Sequence, residues 1–100
     1  MAIRHVVSWK IAADDPDIRA SQIAAFKAAL EALPTQISQI KNLQVGVNSL
    51  REETNWHLTL IVDLESAASL EAYDSHPAHL EVVAGHRHIF AARAAVDFEF

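Results

Sequence analysis

Three side chains of this hundred-residue chain have the types that proton transfer needs: His5, Tyr73 and His79. Imidazole titrates near neutral pH, so a histidine is a natural base for removing a proton from carbon beside a carbonyl. A tyrosine hydroxyl can orient that base or donate a hydrogen bond to the developing enolate. His5 falls between Ile3 and Val7 on an otherwise apolar strand face. A polar ring there needs a partner or a cavity. Tyr73 ends one helical segment, and His79 lies on the next, opened by Pro77. All three can converge between helices and sheet, an ordinary place for a small-molecule pocket. A structural role is equally compatible with these positions: His5 as a satisfied core histidine, His76 as a helix cap beside Pro77, His79 as a hydrogen bond between helices.

Other chemistry is less well supplied. His76 and His79 are three apart, and neutral imidazoles at that spacing can bind zinc or nickel. No carboxylate is placed to complete the set, Glu81 points away, and His86 and His88 fall on different faces, so no metal is expected. Trp9 and Trp56 follow strand alternation and suit packing better than a haem or flavin pocket. With only Gly46 and Gly85 there is no phosphate-cradling loop, and no nucleophile elbow accompanies the serines. No cofactor is expected.

The elements that must position these residues are legible from periodicity. Ile3, His5, Val7, Trp9 and Ile11 alternate with polar and smaller residues as a strand does. Asp15 then suits an N-cap and Pro16 the first helical position, with acids at the positive helix end. The helix runs to about Leu33, with Ile18, Phe26, Leu30 and Leu33 on one face. A second strand spans Leu43–Val47 and a third, the strongest alternation in the chain, Trp56–Leu64. Ser66 caps a short helix to Tyr73, Pro77 opens another to about His88, and Ala94–Phe100 closes the chain as a strand.

The order β-α-β-β-α-β is that of a ferredoxin-like α+β fold: a four-stranded antiparallel sheet with helices on one face. Residues 1–100 are read as one domain. To the helix-facing side the alternation assigns Ile3, Val7, Trp9, Leu58, Leu60, Val62, Val96 and Phe98. The opposite side receives Val6, Ser8, Gln44, Thr59, Ile61, Asp97 and Glu99. That second face is neither charged nor fully apolar. It suits face-to-face stacking on a second copy, or simple exposure of an antiparallel sheet to water.

Composition bounds the partners. The chain is 51% hydrophobic with formal net charge −5, and no cluster of Lys or Arg offers a nucleic-acid footprint. The absence of cysteine removes disulfides, thiolate metal sites and thiol nucleophiles. No signal peptide or membrane-spanning run is visible, so a cytoplasmic location is expected.

The motifs, taken together, resemble the dimeric α/β-barrel (stress-responsive, Dabb-type) family. Ile3-Arg4-His5-Val6-Val7-Ser8-Trp9-Lys10 is similar to the family's opening strand, Leu33-Pro34 to its helix end, and Leu43-Gln44-Val45-Gly46 to its second strand. Tyr73-Asp74-Ser75-His76-Pro77-Ala78-His79 resembles its Tyr-x-x-His-Pro-x-His motif, and Val96-Asp97-Phe98 its closing strand. The resemblance implies a homodimer whose two sheets form one barrel with helices outside. The family includes a plant polyketide cyclase that performs an aldol condensation without a cofactor. Matching positions suggest His79 as base, Tyr73 as its hydrogen-bonding partner and His5 as a substrate-positioning group, acting on a small apolar or carbonyl-containing ligand. A non-catalytic, stress-associated ligand binder is the alternative. The first helix departs from the cyclase in its small residues, Ala24, Ala25, Ala28, Ala29 and Ala32, which imply a wider pocket or closer packing.

Overall fold

A computed structural model describes all residues from Met1 to Phe100. The order is β1 (Ile3–Ile11), α1 (Pro16–Glu31), a 3₁₀ turn (Leu33–Thr35), β2 (Asn42–Val47), β3 (Leu58–Leu64), α2 (Ala67–Ser75), α3 (Pro77–His86), a second 3₁₀ turn (Arg87–Ile89) and β4 (Phe90–Glu99). The four strands form one antiparallel sheet in the order β2-β3-β1-β4. The ferredoxin-like plan read from the sequence is the plan found.

Local chemistry explains most boundaries. The Asp15 carboxylate accepts from the backbone N–H groups of Asp17 and Ile18, and Pro16 begins α1. Ile23, Phe26 and Leu30 recur at helical spacing and are buried against the sheet. Ile18 is exposed instead of joining them. At 100° per residue it stands about 80° from Phe26 and about 140° from Ile23, off the buried stripe. Pro77 has no N–H and restricts His76 to extended backbone, which divides α2 from α3. Ile37, on the irregular link from α1 to β2, is fully buried and ties that link into the core.

The core lies between helices and sheet. It is built from Val7, Trp9 and Ile11 on β1, Leu58, Leu60, Val62 and Leu64 on β3, and the α1 stripe. Several boundaries differ from expectation: α1 ends at Glu31 before the Leu33 turn, and α2 runs past Tyr73 to Ser75. The β3 ladder begins at Leu58 rather than Trp56, because His57 folds back: its N–H donates to Trp9 O at 2.9 Å and its Nδ1 accepts from Ile11 N–H at 2.8 Å. Helix α3 ends at His86, and β4 starts at Phe90, four positions before Ala94, through the 3₁₀ turn.

The main correction concerns β4. In the β1–β4 ladder His5 pairs with Asp97, Ile3 with Glu99 and Trp9 with Arg93. Directly opposed residues share a face, so Asp97, Glu99 and Arg93 lie on the helix side. Val96 and Phe98 pair with Val6 and Arg4 and lie on the open side, 63% and 42% exposed. The expected assignment was the reverse. Alternation divides a strand into two sets, but only the register decides which set faces the core. On this edge strand the apolar set faces away from the helices.

Candidate functional site

His5 is 4% exposed at the centre of β1, and its Nδ1 lies 2.5 Å from Asp97 Oδ1. A carboxylate accepts, so Nδ1 carries the hydrogen and Nε2 is left for other work. His79, near the start of α3, donates through Nδ1 to the Asp74 carbonyl at 2.9 Å. That bond spans the α2–α3 break. It orients the ring and again leaves Nε2 unengaged. Two imidazoles from different elements are thereby held by their Nδ1 atoms.

Tyr73 lies between them. Its ring centroid is 4.6 Å from that of His79 and 5.9 Å from that of His5. It is fully buried and its hydroxyl has no hydrogen-bond partner. The hydrogen bond expected between Tyr73 and His79 is thus absent, and a ring contact takes its place. Burial pushes the hydroxyl far above its ordinary range, with the Asp74 charge adding to the effect and the Arg93 charge opposing it. Tyr73 therefore stays protonated at any neutral pH and can act as a donor but not as a base.

His5 and His79 line one small, largely enclosed cavity of about 70 Å³. Trp9, Phe26, Leu30, Leu60 and Phe90 supply much of its apolar wall, and Arg93 is the third polar contributor. Trp9 is fixed edge-on to Phe26 at 4.8 Å and stacked on Phe90 at 5.7 Å. The open-face hollow around Ser8, Gly46, Trp56 and Thr59, about 260 Å³, contains none of the three candidate residues.

Two of the other histidines, His76 and His86, have structural partners. His76 Nδ1 accepts from Ala78 N–H at 3.0 Å and caps α3. His86 donates to Val82 O at 2.8 Å and packs on Phe26. His88 is exposed. No three His, Asp or Glu side chains are gathered where they could hold a metal ion. His57 was not singled out in the sequence, and its pKa is lowered by burial, then by the charges of Arg19 and Lys10.

Two site residues escaped the sequence argument. Asp97 was assigned to the open face, although it lies inside the closing Val96-Asp97-Phe98 motif. Arg93 was taken to precede the last strand. Matching β4 to β1, so that a polar residue opposed His5, was the signal that would have found Asp97.

The fold is that of a ferredoxin-like α+β protein with a small histidine-lined cavity between sheet and helices. Residues 3–100 match the Dabb family model, described as Stress responsive A/B Barrel Domain, and the chain belongs to that family. It is similar to a dimeric protein of unknown function and ferredoxin-like fold from Bacteroides fragilis, with 30% identity, coverage of 99% of this chain and 96% of that one, and a TM-score of 0.89. A dimeric ferredoxin-like protein of unknown function from Thermobifida fusca is 29% identical, with 100% and 92% coverage and a TM-score of 0.85. The fold is also that of a hydroxynitrile lyase from Passiflora edulis, at 14% identity, 97% and 91% coverage and a TM-score of 0.80. No curated protein matches the chain. No helix is long and apolar enough to cross a membrane.

Proposed function

We propose that the chain acts as a homodimer in which each cavity binds a small carbonyl compound and moves a proton beside the carbonyl, without a cofactor. The observation that carries this reading is the pair of imidazoles, His5 and His79, held through Nδ1 and lining one apolar cavity.

In this scheme the ligand carbonyl enters between the two rings. His79 Nε2 takes the proton from the adjacent carbon, and the electron pair moves onto the carbonyl oxygen. His5, its ring fixed through Nδ1 by Asp97, positions that carbonyl. His79 then returns its proton to a different atom, which completes an isomerisation or follows a ring closure. Apolar walls exclude water and strengthen these polar contacts. The Passiflora edulis enzyme is a lyase on the same backbone plan. It supports the capacity of the fold for catalysis, not this reaction.

The dimer would form through the open sheet face, where Val6, Ile61, Val96 and Phe98 make an apolar area with no helix over it. Stacking a second sheet on that face buries it. The relatives from Bacteroides fragilis and Thermobifida fusca are dimeric, which supports a dimer here.

A non-catalytic ligand binder is the second reading. It is favoured by the cavity's small volume. Deuterium exchange separates the two. Small diketones incubated with the protein in heavy water should lose their α-proton signals faster than in buffer, and His79→Ala should remove the acceleration while leaving the dimer folded. Exchange at the buffer rate with the unmodified protein across the panel, with ligand bound, would establish the binder instead.

A further inference from the structure

We propose that the ligand of this cavity carries a carboxylate as well as a carbonyl, and that Arg93 recognises the charge. The proposal rests on the carbonyl-binding reading of the same cavity and names its substrate class.

Arg93 opposes Trp9 in the β1–β4 ladder, so it shares the helix side of the sheet, and it lines the cavity with His5 and His79. It is exposed and therefore forms the solvent side of that cavity. Its charge reaches the Tyr73 hydroxyl, consistent with a guanidinium turned toward the site. The ion pairs of the molecule are Arg4–Asp63, His5–Asp97 and Lys27–Glu31, and Arg93 is in none of them. The nearest carboxylate on its own strand and face, Asp97, is engaged by His5 and stands four residues away, about 13 Å along an extended chain. Ala91, Ala92, Ala94 and Ala95 flank Arg93, so no acid adjacent to it in sequence neutralises it.

A guanidinium presents a planar fork of donors that matches a carboxylate bidentately. An unpaired cation beside low-dielectric walls, on a chain of net charge −5, is a local focus for an anion. Size gives the orientation. The cavity of about 70 Å³ is roughly half the volume that accommodates a benzene ring. It admits an acetyl-sized group, and the rest of the ligand must lie toward the mouth where Arg93 stands. An oxo acid fits in one direction only, with its carbonyl end between His5 and His79 and its carboxylate on Arg93.

The test compares 4-oxopentanoate with its neutral isostere 4-oxopentanamide, titrated into the full-length protein and followed by NMR at the His5 and His79 imidazoles and the Trp9 indole. The acid should bind at least tenfold more tightly than the amide. Arg93→Leu should cost the acid at least tenfold and leave the amide unchanged, and Arg93→Lys should restore part of the loss. Equal affinity of acid and amide, or an Arg93→Leu variant that still prefers the acid, overturns the proposal while leaving the carbonyl pocket standing. Failure of both ligands to shift His5 and His79 overturns both. An Arg93→Leu variant that dissociates the dimer and loses both ligands equally assigns the residue to subunit packing, against the proposal.

Discussion

Tyr73 is the residue whose environment is most at odds with simple packing. A buried hydroxyl without a partner costs about 1–3 kcal/mol in lost solvation, and Tyr73 has that deficit between two histidines. Tyr73→Phe keeps the ring contacts and removes the deficit. It is expected to raise stability by about 1 kcal/mol, read as a higher melting temperature, because only the unsatisfied oxygen is lost. An unchanged or lower melting temperature would mean that the hydroxyl finds a partner in solution. His5 shows the opposite case: a ring on an apolar strand face that looked stranded in the sequence has its partner, Asp97, on the neighbouring strand.

Among the elements, the junction of β1 and β3 holds a pH-sensitive contact. His57 must be neutral at Nδ1 to accept from Ile11 N–H, and burial, Arg19 and Lys10 all lower its pKa. The folded state therefore binds this proton less readily than the unfolded state. Above the unfolded value of 6.5 both states are neutral and the contact contributes fully. Below it the unfolded chain takes up the proton first, so stability falls with pH until the folded value is passed. His57→Asn keeps an acceptor that does not titrate. Denaturant melts at pH 7 and pH 5 should show a smaller loss in this variant than in the parent, and equal losses would remove His57 from the account. The break between α2 and α3 has a comparable function, since the Asp74 carbonyl it leaves free is what orients His79.

For the whole molecule, the unusual feature is a sheet that covers its core on one side and presents Val96 and Phe98 on the other. Arg4 lies among them, paired with Asp63 at 2.8 Å and placed over the Phe100 ring at 4.3 Å. Contiguous apolar surface on a small domain commonly marks an interface. Val96→Asp puts a charge within that apolar area and should shift the protein from dimer to monomer in sedimentation velocity, with the secondary structure retained. A variant that remains dimeric would place the interface elsewhere.

The sequence by itself determined the element order, the helix break and most of the core residues on β1 and β3. These depend on local forces: period-two and period-3.6 burial, the Asp15 cap, and the missing N–H of Pro77. It also singled out His5, Tyr73 and His79, because their types and the Tyr73–His79 motif are readable without coordinates. The tertiary structure decided the phase of β4. An edge strand without helix cover has no burial signal to distinguish its two faces, so Ala94–Phe100 reads equally well either way up. Only the ladder that sets His5 against Asp97 and Trp9 against Arg93 resolves it. That one-residue choice turned Val96 and Phe98 away from the helices, set the Asp97 carboxylate against His5 and brought a guanidinium to the cavity, placements that only pairing across strands, and no local pattern, could decide.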